Sequence, residues 1–202
     1  RHTFTSGSTK RYMIRRITFF TDFTFPIGSV WAYCFGIERL TGYIMPGNPY
    51  LKYVFFCENT LTQIGSFRNA AITGTLTING GVTIIYEYGF FGCANLTKVI
   101  TGDSVTAING GNGSGAFMNC TSLEVADLGT GVTSIGTDTF RNCTSLVSII
   151  CRSYNPPTLA ANAFNSIPAT TNFYVPHERV NVYKAADGFV EFASRIYSIN
   201  DL

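Results

Sequence analysis

Apolar residues recur in one fixed arrangement through the middle of the chain. Val82, Ile85, Phe90, Cys93, Leu96 and Val99 are followed by Val105, Ile108, Phe117, Cys120, Leu123 and Ala126, then by Val132, Ile135, Phe140, Cys143, Leu146 and Ile149. Within each set the Val-to-Ile, Phe-to-Cys, Cys-to-Leu and Leu-to-last steps are all three positions. Only the Ile-to-Phe gap changes, from five to nine in the second set, where Asn109-Gly110-Gly111-Asn112-Gly113-Ser114-Gly115 intervenes. A set that returns every 23 residues, or 27 with that insertion, marks a solenoid. One unit is too small to bury its own apolar face, so stacked neighbours must cover it.

Each set predicts three local structures. Leu-x2-[Val/Ala/Ile], as in Leu123-Glu124-Val125-Ala126-Asp127-Leu128, reads as a short strand followed by a turn at Gly102, Gly129 or Gly131. Val-Thr-x-Ile is β-branched and predicts a second, briefer strand. The three-residue spacing of Phe-x2-Cys-x2-Leu suits a single helical or 3₁₀ turn.

Toward the amino terminus the period fades. Residues 12–14 and 17–25 are aromatic and β-branched and read as strand, and Pro46-Gly47-Asn48-Pro49 reads as a turn. Phe55, Leu61 and Ile64 fit one register, with Glu58 at the Cys position. Phe67, Ala70 and Leu76 fit another, preferred because Phe67 precedes Phe90 by 23 positions. Residues 1–60 are therefore either degenerate coils or a cap of different build, and residues 61–172 form the solenoid. Residues 173–202 form a second cap. Pro156-Pro157 opens the last coil with Leu159 and Phe164, and residues 173–176 give a strand. Residues 177–186 give a short helix with Val180 and Tyr183 inward, stopped at Gly188. Tyr183, Phe189 and Phe192 are expected against the last coil, because an uncovered solenoid end exposes core.

The words Ala116-Phe117-Met118-Asn119-Cys120-Thr121-Ser122-Leu123 and Phe140-Arg141-Asn142-Cys143-Thr144-Ser145-Leu146 resemble the BspA-type leucine-rich repeat. The ending Tyr174-Val175-Pro176, with Val180, Tyr183-Lys184-Ala185 and Phe189, resembles the tail that closes such arrays. The resemblance covers roughly residues 61–202. It implies an α/β, strand-rich, right-handed leucine-rich-repeat solenoid with short strands and single helical turns per repeat. It also implies a place on the surface of host-associated bacteria, a role in adhesion or protein recognition, and no shared catalysis. Gly92 stands where Asn is usual, Ala94-Asn95 replaces Thr-Ser, and residues 1–60 depart most.

Composition narrows the partners. Charged residues are 13% of the chain, against roughly 25% in an average soluble protein, and Thr, Ser, Asn and Gly abound. That suits an extracellular β-rich surface. A net charge of +2 is too small to argue for nucleic acid or an anionic membrane. No apolar run approaches the roughly 20 residues of a membrane span. Arg1, Lys10, Arg11, Arg15 and Arg16 read as a solvated basic arm. The start at Arg1 is expected to follow removal of an upstream segment.

Candidate chemistry is sparse. Cys93, Cys120 and Cys143 share one repeat position, which Ala70 and Ile167 also occupy, so they read as buried free thiols in an apolar slot. No C-x2-C occurs and the histidines are only His2 and His177, which argues against zinc. A Cys–His nucleophile would need His177 beside Cys151. No cofactor is expected. Asn95, Asn112, Asn119 and Asn142 match glycosylation sequons, but the last two recur beside the core, where Asn can satisfy turn backbone. The 109–115 insertion lacks basic residues and an acidic ladder and reads as a flexible loop.

Alternation along the strand leaves Lys98, Ile100, Glu124, Val125, Asp127, Ser148 and Ile150 expected on the exposed face. The reading is a non-enzymatic cell-surface or secreted protein that binds a protein or glycan through that ribbon. A structural spacer, as in a phage tail or surface layer, is the alternative. An enzyme is a more remote one, since no site is legible.

Overall fold

The computed structural model describes residues 63–65, 67–78 and 81–202, and the backbone of three earlier strands. These are β1 (Ser29–Ala32), β2 (Arg39–Thr41) and β3 (Tyr53–Phe56). The expected strands at 12–14 and 17–25, the 46–49 turn and the basic arm lie outside the described residues.

Five coils follow, each supplying one short and one longer strand. The short strands are β4 (Gln63–Gly65), β6 (Ile84–Ile85), β8 (Ala107–Ile108), β10 (Ser134–Ile135) and β12 (Thr158–Leu159). The longer ones are β5 (Gly74–Ile78), β7 (Leu96–Thr101), β9 (Val125–Leu128), β11 (Ser148–Cys151) and β13 (Asn172–Val175). The short strands form a parallel six-stranded sheet that begins at β2. The longer ones form a second, closed by β14 (Ile196–Ser198) from the carboxy-terminal cap.

Register converts the sequence period into rows of side chains. Leu76, Val99, Ala126, Ile149, Phe173 and Ile196 are successive partners across the second sheet, and all are buried. Ile64, Ile85, Ile108, Ile135 and Leu159 form the matching row of the first sheet. Thr is fixed beside that row for a reason. The hydroxyls of Thr106, Thr133 and Thr158 each donate to the carbonyl of the Thr one coil earlier, at 3.1–3.2 Å.

Between the rows runs a stack of rings. Phe67, Phe90, Phe117, Phe140 and Phe164 lie 5.3–5.6 Å apart with interplanar angles of 6–10°. Each stacked pair adds about 0.5–1.5 kcal/mol beyond the area it buries. Phe67 and Ala70 belong to the same coil as Ile64, so the two competing registers at the amino end share one coil.

The expected helical or 3₁₀ turn takes the form of two successive i→i−3 hydrogen-bonded turns rather than a continuous helix. Cys93 N–H donates to Phe90 O and Leu96 N–H to Cys93 O, both at 3.1 Å, and the next two coils repeat this. The residue before the Cys position is left-handed in all five coils: Asn69, Gly92, Asn119, Asn142 and Ser166 have φ between 55° and 68°. That conformation stops helix propagation and favours Asn and Gly. Gly92 takes that conformation at no steric cost, and a Cβ there would press first on the movable side-chain oxygen of Asn69. The Asn side chains bond each other, Asn142 Nδ2 donating to Asn119 Oδ1 at 2.9 Å, rather than the turn backbone.

The cap closes the core. A 3₁₀ turn (His177–Arg179) leads into α1 (Val180–Ala185), which ends before the left-handed Gly188. Tyr183, Phe189 and Phe192 are buried, and Phe192 meets the end of the ring stack edge-on at 5.8 Å. Polar contacts fix the cap. Tyr183 Oη donates to Ser153 O at 2.7 Å, and Arg195 Nη1 donates to the carbonyls of Pro168, Ala169 and Thr171. No helix among the described residues is long and apolar enough to cross a membrane.

Candidate functional site

The outward face of the second sheet is the candidate recognition surface, and it is less open than alternation alone implies. One outward row runs Thr77, Ile100, Asp127, Ile150, Tyr174 and Tyr197; the next runs Thr75, Lys98, Val125, Ser148 and Asn172. Glu124 is exposed, and Lys98, Ile100 and Val125 are half-buried. Three expected positions are not open: Asp127 is 7% exposed, Ser148 9% and Ile150 6%.

Neighbours flank two of these, Asp127 and Ile150. Arg152 folds back along the face and grips Asp127 with both ends of its guanidinium, Nε to Oδ1 at 2.6 Å and Nη2 to Oδ2 at 2.9 Å. Such a bidentate pair fixes geometry as well as charge. Ile150 lies in register between Asp127 and Tyr174, so the ion pair flanks it on one side and an aromatic ring on the other. It is buried yet stands apart from the interior core. Asp103 extends the charged patch: it accepts from Thr130 N–H at 2.9 Å, which holds its carboxyl below its ordinary range, with a smaller pull from Arg152.

Sequence spacing missed the aromatic end of this face. Tyr174 and Tyr197 stack obliquely at 6.1 Å, and Tyr197 is 42% exposed. Tyr197 lies in the cap outside the repeat, so no periodicity could place it; its pairing with Tyr174 follows only from β14 joining the sheet.

The other candidates resolve into structure. Each ladder thiol donates to the carbonyl of the Phe one coil earlier: Cys93 to Phe67, Cys120 to Phe90 and Cys143 to Phe117, at 3.1–3.3 Å. Burial pushes the thiols of Cys93 and Cys143 up to about 12 and that of Cys120 well above its ordinary value. Cys151 is likewise buried and pushed to about 12, while His177 Nδ1 lies 3.2 Å from Ser198 Oγ. Cys151 and His177 therefore make no nucleophile pair. Among the described residues no three His, Cys, Asp or Glu side chains gather at metal-binding distance.

The 109–115 insertion is tied down rather than free. Ser114 Oγ donates to Glu87 Oε2 at 2.9 Å, and Gly113 N–H donates to the buried Asp138 Oδ2 at 2.7 Å. Gly115 packs on the Asp138 backbone so closely that a Cβ would overlap it.

A family model described as BspA type leucine rich repeat region matches residues 60–186 in six copies. Three chains among solved structures match. One is a leucine-rich repeat protein from Bacteroides ovatus ATCC 8483, at 20% identity and a TM-score of 0.42, covering 85% of this chain and 54% of that one. No curated protein matches.

Proposed function

The chain belongs to the BspA-type leucine-rich repeat family, and from that premise we propose that it is a non-enzymatic binding protein of a bacterial surface or secreted fraction. Repeats of this family are typically protein-binding. The ligand is a protein or glycan, held on the outward face of the second sheet.

One observation carries this reading. On that face Lys98, Ile100 and Val125 form a partly open patch beside Glu124, bordered by the clamped Arg152–Asp127 pair and continued by Tyr174 and Tyr197. Interfaces draw most of their energy from a few aromatic, apolar and Arg groups held in place before the partner arrives. Here the β-ladder holds the backbone and Asp127 holds the guanidinium.

The test is a screen of the whole chain against arrays of glycans and purified extracellular proteins, repeated with Lys98→Glu/Val125→Glu. The double variant is expected to fold normally and lose at least about 2 kcal/mol of affinity for any captured ligand. Unchanged affinity would remove the site from this face.

A further inference from the structure

Among the described residues the ladder of hydrogen bonds between successive turns ends at the last coil. At each junction between coils, two backbone donors two residues apart reach carbonyls of the next coil. Phe67 and Asn69 donate to Gly89 and Phe91, Phe90 and Gly92 to Ala116 and Met118, and Phe117 and Asn119 to Thr139 and Arg141. Phe140 and Asn142 donate to Ala163 and Asn165, and all eight bonds are 2.7–3.0 Å. In every case the residue between the two accepting carbonyls is Phe.

Phe164 and Ser166 hold the same two positions in the last coil, and their N–H groups have no backbone acceptor among the described residues. The cap does not supply one. It covers the ring stack with Phe192 and packs Gly188 on Leu159, but leaves a cavity of about 340 Å³ over the turn. Leu159, Ala163, Phe164 and Phe192 give it an apolar wall, and Asn162, Asn165 and Glu191 are its polar lining. The donors of a stacked coil point toward the coil that follows, so those of Phe164 and Ser166 point away from the stack, where Phe164 lines this cavity and Ser166 is exposed beyond its lining.

We propose that this groove binds an extended segment of a partner polypeptide, which continues the inter-coil hydrogen-bond ladder by one step. The ladder specifies the ligand. It must present carbonyls two residues apart with an apolar side chain between them, as the next coil does at every other junction. Glu191 is the one charged residue in the lining, so a basic residue beside the apolar one is favoured. Main-chain bonds to an exposed edge supply affinity in such docking, and the side-chain pocket supplies selectivity. The cavity lies near the low end of ligand-site volumes, roughly 300–1,000 Å³, which fits one side chain and its backbone. The site is separate from the outward face, and either can fail alone.

The probe is a capped synthetic peptide of residues 137–144 with Ser in place of Cys143, which carries Phe140 and Arg141 in the required order. Saturable binding to the whole chain is expected by fluorescence anisotropy. Hydrogen exchange at the Phe164 and Ser166 amides should slow at least tenfold, with no change at Phe117 and Asn119. Ala161→Trp, which fills the cavity from an exposed position, should weaken binding at least tenfold, and Glu191→Lys should weaken it independently. Normal melting of both variants separates loss of the groove from loss of the fold. Absence of saturable binding, or binding indifferent to Ala161→Trp, overturns the proposal. Self-association of the unliganded chain that Ala161→Trp abolishes overturns it in favour of a second copy as occupant.

Discussion

The two faces of one sheet follow opposite rules. Inward, Leu76, Val99, Ala126, Ile149, Phe173 and Ile196 hold a single row in which every member is apolar and buried. Outward, one position further along the same strands, the row reads Thr77, Ile100, Asp127, Ile150, Tyr174 and Tyr197. The inward row is fixed because each residue must match the volume left by the coil above and the coil below. The outward row has no such constraint, so its chemistry is free to differ from coil to coil. The fold resides in what repeats, and recognition in what does not.

The sharpest way to break this contrast is to expose the inward row at its end. A chain cut after Pro176 loses Tyr183, Phe189, Phe192 and β14 and uncovers Phe173. It should aggregate or be rapidly clipped in limited proteolysis. A truncated chain that stays soluble and melts as before would show that the cap is an appendage.

Removing one ring from the stack comes next. Phe117→Ala leaves a cavity between Phe90 and Phe140 and should cost about 3–5 kcal/mol in denaturant unfolding. A loss below about 1 kcal/mol would mean that neighbouring coils collapse into the space.

The thiol ladder gives a smaller effect with a pH signature. Cys143→Ala should cost about 1–2 kcal/mol at pH 7. The folded state holds the neutral thiol, with its pKa raised from 9.0 to about 12. Its contribution is therefore intact below pH 9 and falls as pH rises toward 12, by up to about 1.4 kcal/mol per pH unit. The advantage of the parent chain over Cys143→Ala should shrink above pH 9. An advantage that holds constant to pH 11 would place this thiol in contact with water.

Legibility in the sequence divides along the same line as the faces. Phe117, Cys120, Leu123 and Ala126 could be placed inward because their spacing repeats, and the ring stack and thiol ladder follow from stacking. The left-handed residue is hidden in the spacing: three-residue steps fit a helical or 3₁₀ turn, and only the recurrence of Asn or Gly before the Cys position points to it. Alternation points Asp127 and Ile150 toward solvent, but it fixes direction and not what leans over a residue. Arg152 lies beyond the strand, and its grip on Asp127 depends on side-chain reach that no period encodes. The paired halves of the first coil, Ile64 and Phe67, fall into two registers in the sequence because their separation is three rather than five.

Adjacent residues of β9 test the central claim most directly, because Val125 and Ala126 differ by one position and by face. The measurement is the thermal unfolding midpoint of Val125→Glu against Ala126→Glu. Val125→Glu places a charge on the partly open face and should stay within about 0.5 kcal/mol of the parent, or roughly 2 °C. Ala126→Glu forces a carboxylate between Val99 and Ile149 and should abolish cooperative unfolding. Equal midpoints for the two variants would contradict the assignment of faces on which the solenoid and its recognition surface both rest.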